Sequence, residues 1–247
     1  MPTAIVSIYT PEGFVIAADG RDLNMETRTV VRDSVQKIYS VKHPQGELAY
    51  SFAGTDRITA KDSDEVTFDF IHETVKATEV LAARRYKSLW HYAKALHDVL
   101  WPFPEQARQA LSTFESPPME TMIFIEGYHD GRPKRVRLTF FNDGLQEPEV
   151  SADFQSGTAL GVIPEAVSRI LDSGTGDGPL AAYRARLRGI ETMAEAIEAA
   201  QKVVAALKDP EALEIDPRCE GIGGHVHVCK ITFADGFQWI IKPLQLQ

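Results

Sequence analysis

The chain of 247 residues is long enough to bury one substantial core, and its 44% hydrophobic and 25% charged residues fit a folded protein, not a disordered tail. With 26 basic against 35 acidic residues the formal net charge is -9, which repels phosphate backbones and anionic lipid and argues against nucleic acid and membrane surfaces as partners. No apolar run reaches membrane-spanning length, residues 4–9 lack the flanks of a signal peptide, and Cys219 and Cys229 form neither a disulfide framework nor a CxxC zinc pattern, so a cytoplasmic protein is expected.

Residues 3–9 and 13–18 are short β-branched, apolar runs separated by Thr10-Pro11-Glu12-Gly13, which has turn chemistry. A second strand pair, 35–41 and 47–53, is joined by His43-Pro44-Gln45-Gly46. Both pairs are apolar on both faces, which suits a sheet covered on each side. From Asp64 the period becomes helical: Val66, Phe70, Ile71, Val75 and Val80 recur at helical steps, and Leu89, Ala93, Leu96 and Leu100 follow. Trp101-Pro102-Phe103-Pro104 ends that stretch, and a short helix is expected over 105–111. Strands return at 121–128 and 135–142 around His129-Asp130-Gly131, with a further short strand expected before Ser156. Helices are predicted over 180–189 and 193–207, the second stopped by Lys208-Asp209-Pro210. A last strand pair, 225–232 and 237–241, surrounds Asp235-Gly236. No repeat or linker marks a boundary, so residues 1–247 are read as a single domain. Hairpins segregated from two helical blocks predict an α+β protein, with antiparallel sheets between helical layers, over a doubly wound parallel fold.

Three residues near the front carry chemistry. Thr3, Asp19 and Lys37 fall at successive strand ends. A threonine hydroxyl is a weak nucleophile, but an N-terminal threonine has its own α-amine as base, with a reference pKa of about 7.7–8.0. Lys37 would disfavour a second positive charge and keep that amine neutral, and Asp19 would hold Lys37 in place. The backbone N–H of Gly54, in Phe52-Ala53-Gly54, suits an oxyanion donor. The alternative reading is a salt-bridge network of Asp19, Arg21 and Lys37 that ties two hairpins together without turnover. His225 and His227 lie two apart on an expected strand, yet no third ligand accompanies them, so neither a metal nor any other cofactor is expected. Arg132, Lys134, Arg135 and Arg137 flank a turn and are read as a solvated hairpin end.

Thr-Ala-Ile-Val-Ser-Ile, Gly-Phe-Val-Ile-Ala-Ala-Asp-Gly-Arg, Val-Gln-Lys-Ile-Tyr and Phe-Ala-Gly, in this order, resemble the opening of proteasome β subunits and the related HslV peptidase. Ser156-Gly157-Thr158 is similar to a Ser-Gly-Ser element of that family, and Gly223-Gly224-His-Val-His-Val-Cys-Lys-Ile-Thr to its last hairpin. The resemblance covers the first sixty or so residues well and the rest in outline. It implies the four-layer αββα sandwich of the N-terminal-nucleophile hydrolases. It further implies Thr3 as nucleophile beside Asp19 and Lys37, Arg21 supporting Asp19, Gly54 at the oxyanion and Ser156 near the threonine amine. The implied reaction is hydrolysis of peptide bonds in peptide or protein substrates through a threonyl ester. The implied setting is a homo-oligomeric ring, with an ATP-dependent unfoldase as a partner.

Three features depart from the family pattern. Thr3 follows Met1-Pro2, so loss of both residues is required to free its amine. Cys219 and Ile222 stand where the family has an acid and a serine, with Asp216 shifted by three residues. The helical block from 62 to 116 is longer than the resemblance leads one to expect. Two alternatives therefore stand beside the threonine peptidase: a catalytically silent ring or scaffold subunit, and an amidase acting on small molecules.

Overall fold

The computed structural model describes residues 3–24, 27–54, 57–59, 66–102, 120–141, 156–172 and 177–244. The expected helix over 105–111 and the expected strand before Ser156 lie outside them. In chain order the strands are β1 (Ile5–Thr10), β2 (Gly13–Ala18), β3 (Asp22–Leu23), β4 (Val30–Arg32), β5 (Ile38–His43), β6 (Gly46–Gly54), β7 (Arg57–Thr59), β8 (Val66–Asp69), β9 (Glu120–His129), β10 (Arg132–Phe141), β11 (Ala159–Val162), β12 (His227–Thr232) and β13 (Gly236–Ile241). The helices are α1 (Phe70–Ala82), α2 (Leu89–Leu100), α3 (Glu165–Asp172), α4 (Met193–Leu207) and α5 (Pro210–Ile215). The chain divides into two compact units, residues 1–38 with 153–247, and residues 39–152. No helix among the described residues is long and apolar enough to cross a membrane.

The first unit is built on an antiparallel sheet of order β11-β1-β2-β12-β13. β1 and β2 form the predicted hairpin, in register from Ile5 opposite Ala18 to Thr10 opposite Gly13. Gly13 has φ +145, and a Cβ there would lie 2.3 Å from the Ile231 carbonyl oxygen, so the turn end of the hairpin admits only glycine where β12 passes. Val6, Ile8, Val15, Ala17 and Val228 form a core with Ala196, Ala199, Ala200, Val203 and Val204 of α4. The alanines let the helix axis approach the sheet closely. α4 starts in a capping box, with the Thr192 hydroxyl accepting from the Glu195 N–H and the Glu195 carboxylate accepting from the Thr192 N–H. The opposite face of the sheet, carrying Ile5, Phe14, Ile16, Cys229 and Ile231, is buried as well. β1 and β2 are thus buried on both faces apart from Tyr9, whereas the edge strands β11 and β13 are partly exposed.

The second unit holds a sheet of order β10-β9-β6-β5. α1 packs on α2, and α2 packs on β10. α2 buries Leu89, Tyr92, Ala93, Leu96 and Leu100, the predicted stripe with one tyrosine added. α1 begins four residues later than the apolar period suggests. Asp69 caps it by accepting the His72 N–H at 2.9 Å, which leaves Val66 in β8. Val80, placed by its spacing among the packing residues, is 66% exposed.

Two further expectations change. Residues 180–189 do not form a helix: Leu180 has φ 58, and only Ala181–Tyr183 makes a single 3-10 turn. The backbone groups of this segment are taken elsewhere, the Leu180 N–H by Glu211 at 2.6 Å and the Arg184 carbonyl by Lys202 at 3.4 Å. Arg135 is not part of a solvated hairpin end. It is buried, paired with the buried Glu126 at 2.6 Å, with its guanidinium 5.4 Å from the centroid of the Phe124 ring.

Leu96 is fully buried on α2, and Leu96→Ala is expected to cost about 2–5 kcal/mol in urea unfolding. Val80→Ala on the exposed side of α1 is expected to stay within about 0.5 kcal/mol. Equal effects would contradict the orientation of both helices.

Candidate functional site

At the end of the first hairpin the chain leaves β2 through Asp19, Gly20 and Arg21. The Asp19 carboxylate is completely buried and receives four hydrogen bonds. Its Oδ1 accepts from the Ala4 N–H at 3.0 Å and from the Lys37 ammonium at 2.9 Å. Its Oδ2 accepts from the Arg21 N–H at 3.2 Å and from the Gly223 N–H at 3.1 Å. A buried carboxylate is tolerated because each lone pair has a donor and one donor carries the compensating charge. Thr3, also buried, is bonded directly to Ala4. The peptide that carries Thr3 and the Lys37 ammonium therefore meet at one carboxylate oxygen.

Lys37 reaches this point from the segment between β4 and β5. That segment is held to the end of β2 by the Val35 N–H, which donates to the Gly20 carbonyl at 2.8 Å. The Lys37 N–H donates to Nε2 of His227, at 3.0 Å. His227 lies opposite Ala18 in the register of β12 on β2, one residue from Asp19. Since its Nε2 accepts, the proton sits on the buried Nδ1. Burial, with the positive charge of Lys37 and then His225 nearby, pulls the His227 pKa down to about 3.

Arg21 supports Asp19 through its main chain. Its guanidinium turns instead to Asp33, with Nε to Oδ1 at 2.6 Å and Nη2 to Oδ2 at 3.1 Å, and that hydrogen bonding holds the Asp33 carboxyl below its ordinary range. The guanidinium lies flat against Gly223, where a Cβ would come within 2.4 Å of Arg21 Cζ. Gly223 also closes the site from the C-terminal side, since its carbonyl accepts from the Gly20 N–H at 3.1 Å.

The structure does not bring every sequence-predicted site residue to this place. Ser156 is exposed, in the turn before β11, and the adjoining Gly157 N–H donates to the Tyr9 carbonyl at 2.7 Å. This is the end of β1 away from Thr3. β11 then runs antiparallel to β1 until Val162 faces Ile5, so the residues it delivers toward the Thr3 end are Val162 and Ile163. A Ser-Gly-Thr motif specifies residue type alone, and the register of the strand that follows it sets which residue reaches the Thr3 end of β1. Gly54 ends β6 in the second unit with φ +94. Asp216 is occupied within its own turn, accepting from the Arg218 N–H at 3.0 Å and from its guanidinium at 3.0 and 2.7 Å. Cys219 is buried, which pushes its thiol up to about 11 and leaves it protonated near neutrality. Ile222 is buried too.

The roles of His227 and of the Gly223 amide were not anticipated. His227 does not share a strand with His225, which lies before β12 and has its Nε2 2.7 Å from the Lys242 carbonyl. The only sequence signal was a histidine in an apolar strand, and its partner lies 190 residues away.

No family model matches this chain, and no curated protein matches it. Among solved structures it is similar to the Anbu (Gly-1) mutant from Hyphomicrobium sp. strain MC1, with 15% identity and a TM-score of 0.53 over 97% of this chain and 87% of that one. At this identity the likeness is one of fold. Anbu is an HslV/proteasome-like protein of the N-terminal-nucleophile hydrolase family.

Asp19→Asn would place an amide N–H₂ among donors and strip Lys37 of its counter-charge; a loss of about 3–5 kcal/mol in urea unfolding is expected, and a loss under about 1 kcal/mol would deny the pair its buried character. His227 stays neutral in the folded chain down to about pH 3, whereas the unfolded chain takes up the proton below about 6.5. The stability it contributes is therefore lost as pH falls from about 6.5 toward 3. Between pH 7.5 and 5.5 the wild type should lose roughly 1 kcal/mol more than His227→Gln, read from paired urea midpoints.

Proposed function

We propose that this chain is an amide hydrolase of the threonine type, with the N-terminal-nucleophile architecture, its four-layer αββα sandwich and single-domain organisation included, and with peptide bonds as its substrate class. The supporting observation is the buried Lys37–Asp19 pair, 2.9 Å apart, on a carboxylate that also binds the peptide next to Thr3. A buried ion pair adds little net stability compared with apolar residues of the same volume. Its presence beside a buried threonine is therefore better explained by what it does for that threonine.

Breaking the Pro2–Thr3 bond gives Thr3 a free α-amine. As the Thr3 hydroxyl oxygen adds to a substrate carbonyl, its proton passes to this amine, which then returns it to the departing substrate nitrogen. The acyl group left on Thr3 is an ester, which water cleaves to restore the hydroxyl. Lys37 disfavours a charged amine, and Asp19 fixes Lys37 where it has that effect. Arg21 acts one step back through its N–H and its Asp33 pair. Ser156 has no part in this reading. Assembly of copies into a closed ring is included in the proposal, and an energy-dependent unfoldase would be needed for folded substrates.

A silent scaffold subunit is the second reading. It is favoured by the engagement of Asp216 with Arg218 and by the apolar Val162 and Ile163 on the strand end near Thr3.

Protein whose N-terminus is Thr3 by intact mass is expected to cleave fluorogenic peptide amides, and Thr3→Ala to reduce kcat by at least about 10³-fold. Turnover that survives Thr3→Ala would rule out the nucleophile. A chain that keeps Pro2 and cleaves nothing, while eluting as a ring, would establish the scaffold reading.

A further inference from the structure

Lys37 is gripped at two points. Its ammonium meets Asp19, and its backbone N–H meets His227. The second grip is needed because Lys37 precedes β5, where a sheet partner would otherwise take its amide. An amide buried without an acceptor is costly, and a backbone free to rotate there would swing the root of the lysine side chain. Both grips lead to the same strand end. Asp19 follows Ala18, and Ala18 is the register partner of His227.

Resting on the Thr3 reading above, we propose that His227 is a positioning residue for Lys37, its neutral Nε2 fixing the lysine backbone so that the ammonium stays on Asp19 beside Thr3. Only the neutral ring can do this, because a protonated imidazole presents N–H at both nitrogens and would turn a donor against the Lys37 N–H. The groups around His227 keep it neutral. It is completely buried, it packs edge-to-face with Trp239 with ring centroids 6.1 Å apart, and the Lys37 ammonium disfavours a second positive charge beside it. Asp19 spends its lone pairs on four other donors, and the Asp33 carboxylate is paired with Arg21.

The test compares His227→Gln, whose amide oxygen can still accept, with His227→Phe, which keeps an aromatic ring against Trp239 and removes the acceptor. Amide hydrogen exchange by mass spectrometry on the peptide containing Lys37 reads the grip directly, whether or not the protein turns over. Exchange at Lys37 is expected to rise at least tenfold in the Phe variant and less than threefold in the Gln variant. With Thr3 N-terminal, kcat on a peptide amide is expected to fall at least tenfold in the Phe variant with KM within twofold, and Gln is expected to restore most of it. Unchanged exchange in the Phe variant, or an equal fall of kcat in both, would overturn the proposal. Should the wild type show no Thr3-dependent cleavage, the threonine reading fails on that result, and a tenfold exchange change specific to Phe still establishes the grip on Lys37.

Discussion

The first unit depends on the complete satisfaction of one buried carboxylate. Asp19 gathers donors from the start of β1, the turn after β2, the segment before β5 and the segment before β12. The four donors come from four separate pieces of chain that converge on this point. Taking away the lysine would leave negative charge unbalanced in a water-free place, and taking away an amide would leave a buried lone pair without a donor. The lysine ammonium supplies the charge, and the three main-chain amides supply direction.

Around that carboxylate the supporting groups are arranged in tiers. His227 secures the Lys37 backbone, the Arg21–Asp33 pair stiffens the exit from β2, and Gly223 is bare of a side chain where the guanidinium lies. The His225 N–H donates to the Asp33 carbonyl at 2.7 Å, and the Lys208 ammonium donates to the Gly224 carbonyl at 2.6 Å. The same segment, 222–225, thus touches the carboxylate, the ion pair and the end of α4. Such cross-bracing keeps a buried polar cluster in one arrangement.

Much of this was legible in the sequence where the signal is local. Hairpins with turn residues at their tips, the stripe on α2 and the stop after α4 follow from periodicity and from proline chemistry. Asp19 and Lys37 were legible as a pair because short motifs placed them at strand ends. The failures are of another kind. Val66 has a helical period but precedes the residue that caps the helix, and a cap outranks periodicity at an element's edge. The segment after Leu180 has helix-forming residues whose backbone groups are claimed by Glu211 and Lys202 from other elements. Ser156 failed because a motif carries no information on which end of a neighbouring strand it meets, which only the register of β11 supplies. His227 failed because its partner is distant in the chain. Arg135 was misread because its acid, Glu126, lies across the hairpin, and charge counting along one strand does not detect it.

The first unit is also discontinuous, since its halves are separated by the whole of the second. Asp19 leaves the ribosome early, and the Gly223 amide that completes it comes 204 residues later. At ordinary synthesis rates of about 5–20 residues per second, roughly ten to forty seconds pass between them. During that interval β2 has one open edge and Asp19 lacks one of its donors. A chain truncated before residue 223 can therefore never finish the site. Synthesis of the segment around Gly223 is the step that gives the Asp19 carboxylate its full set of donors.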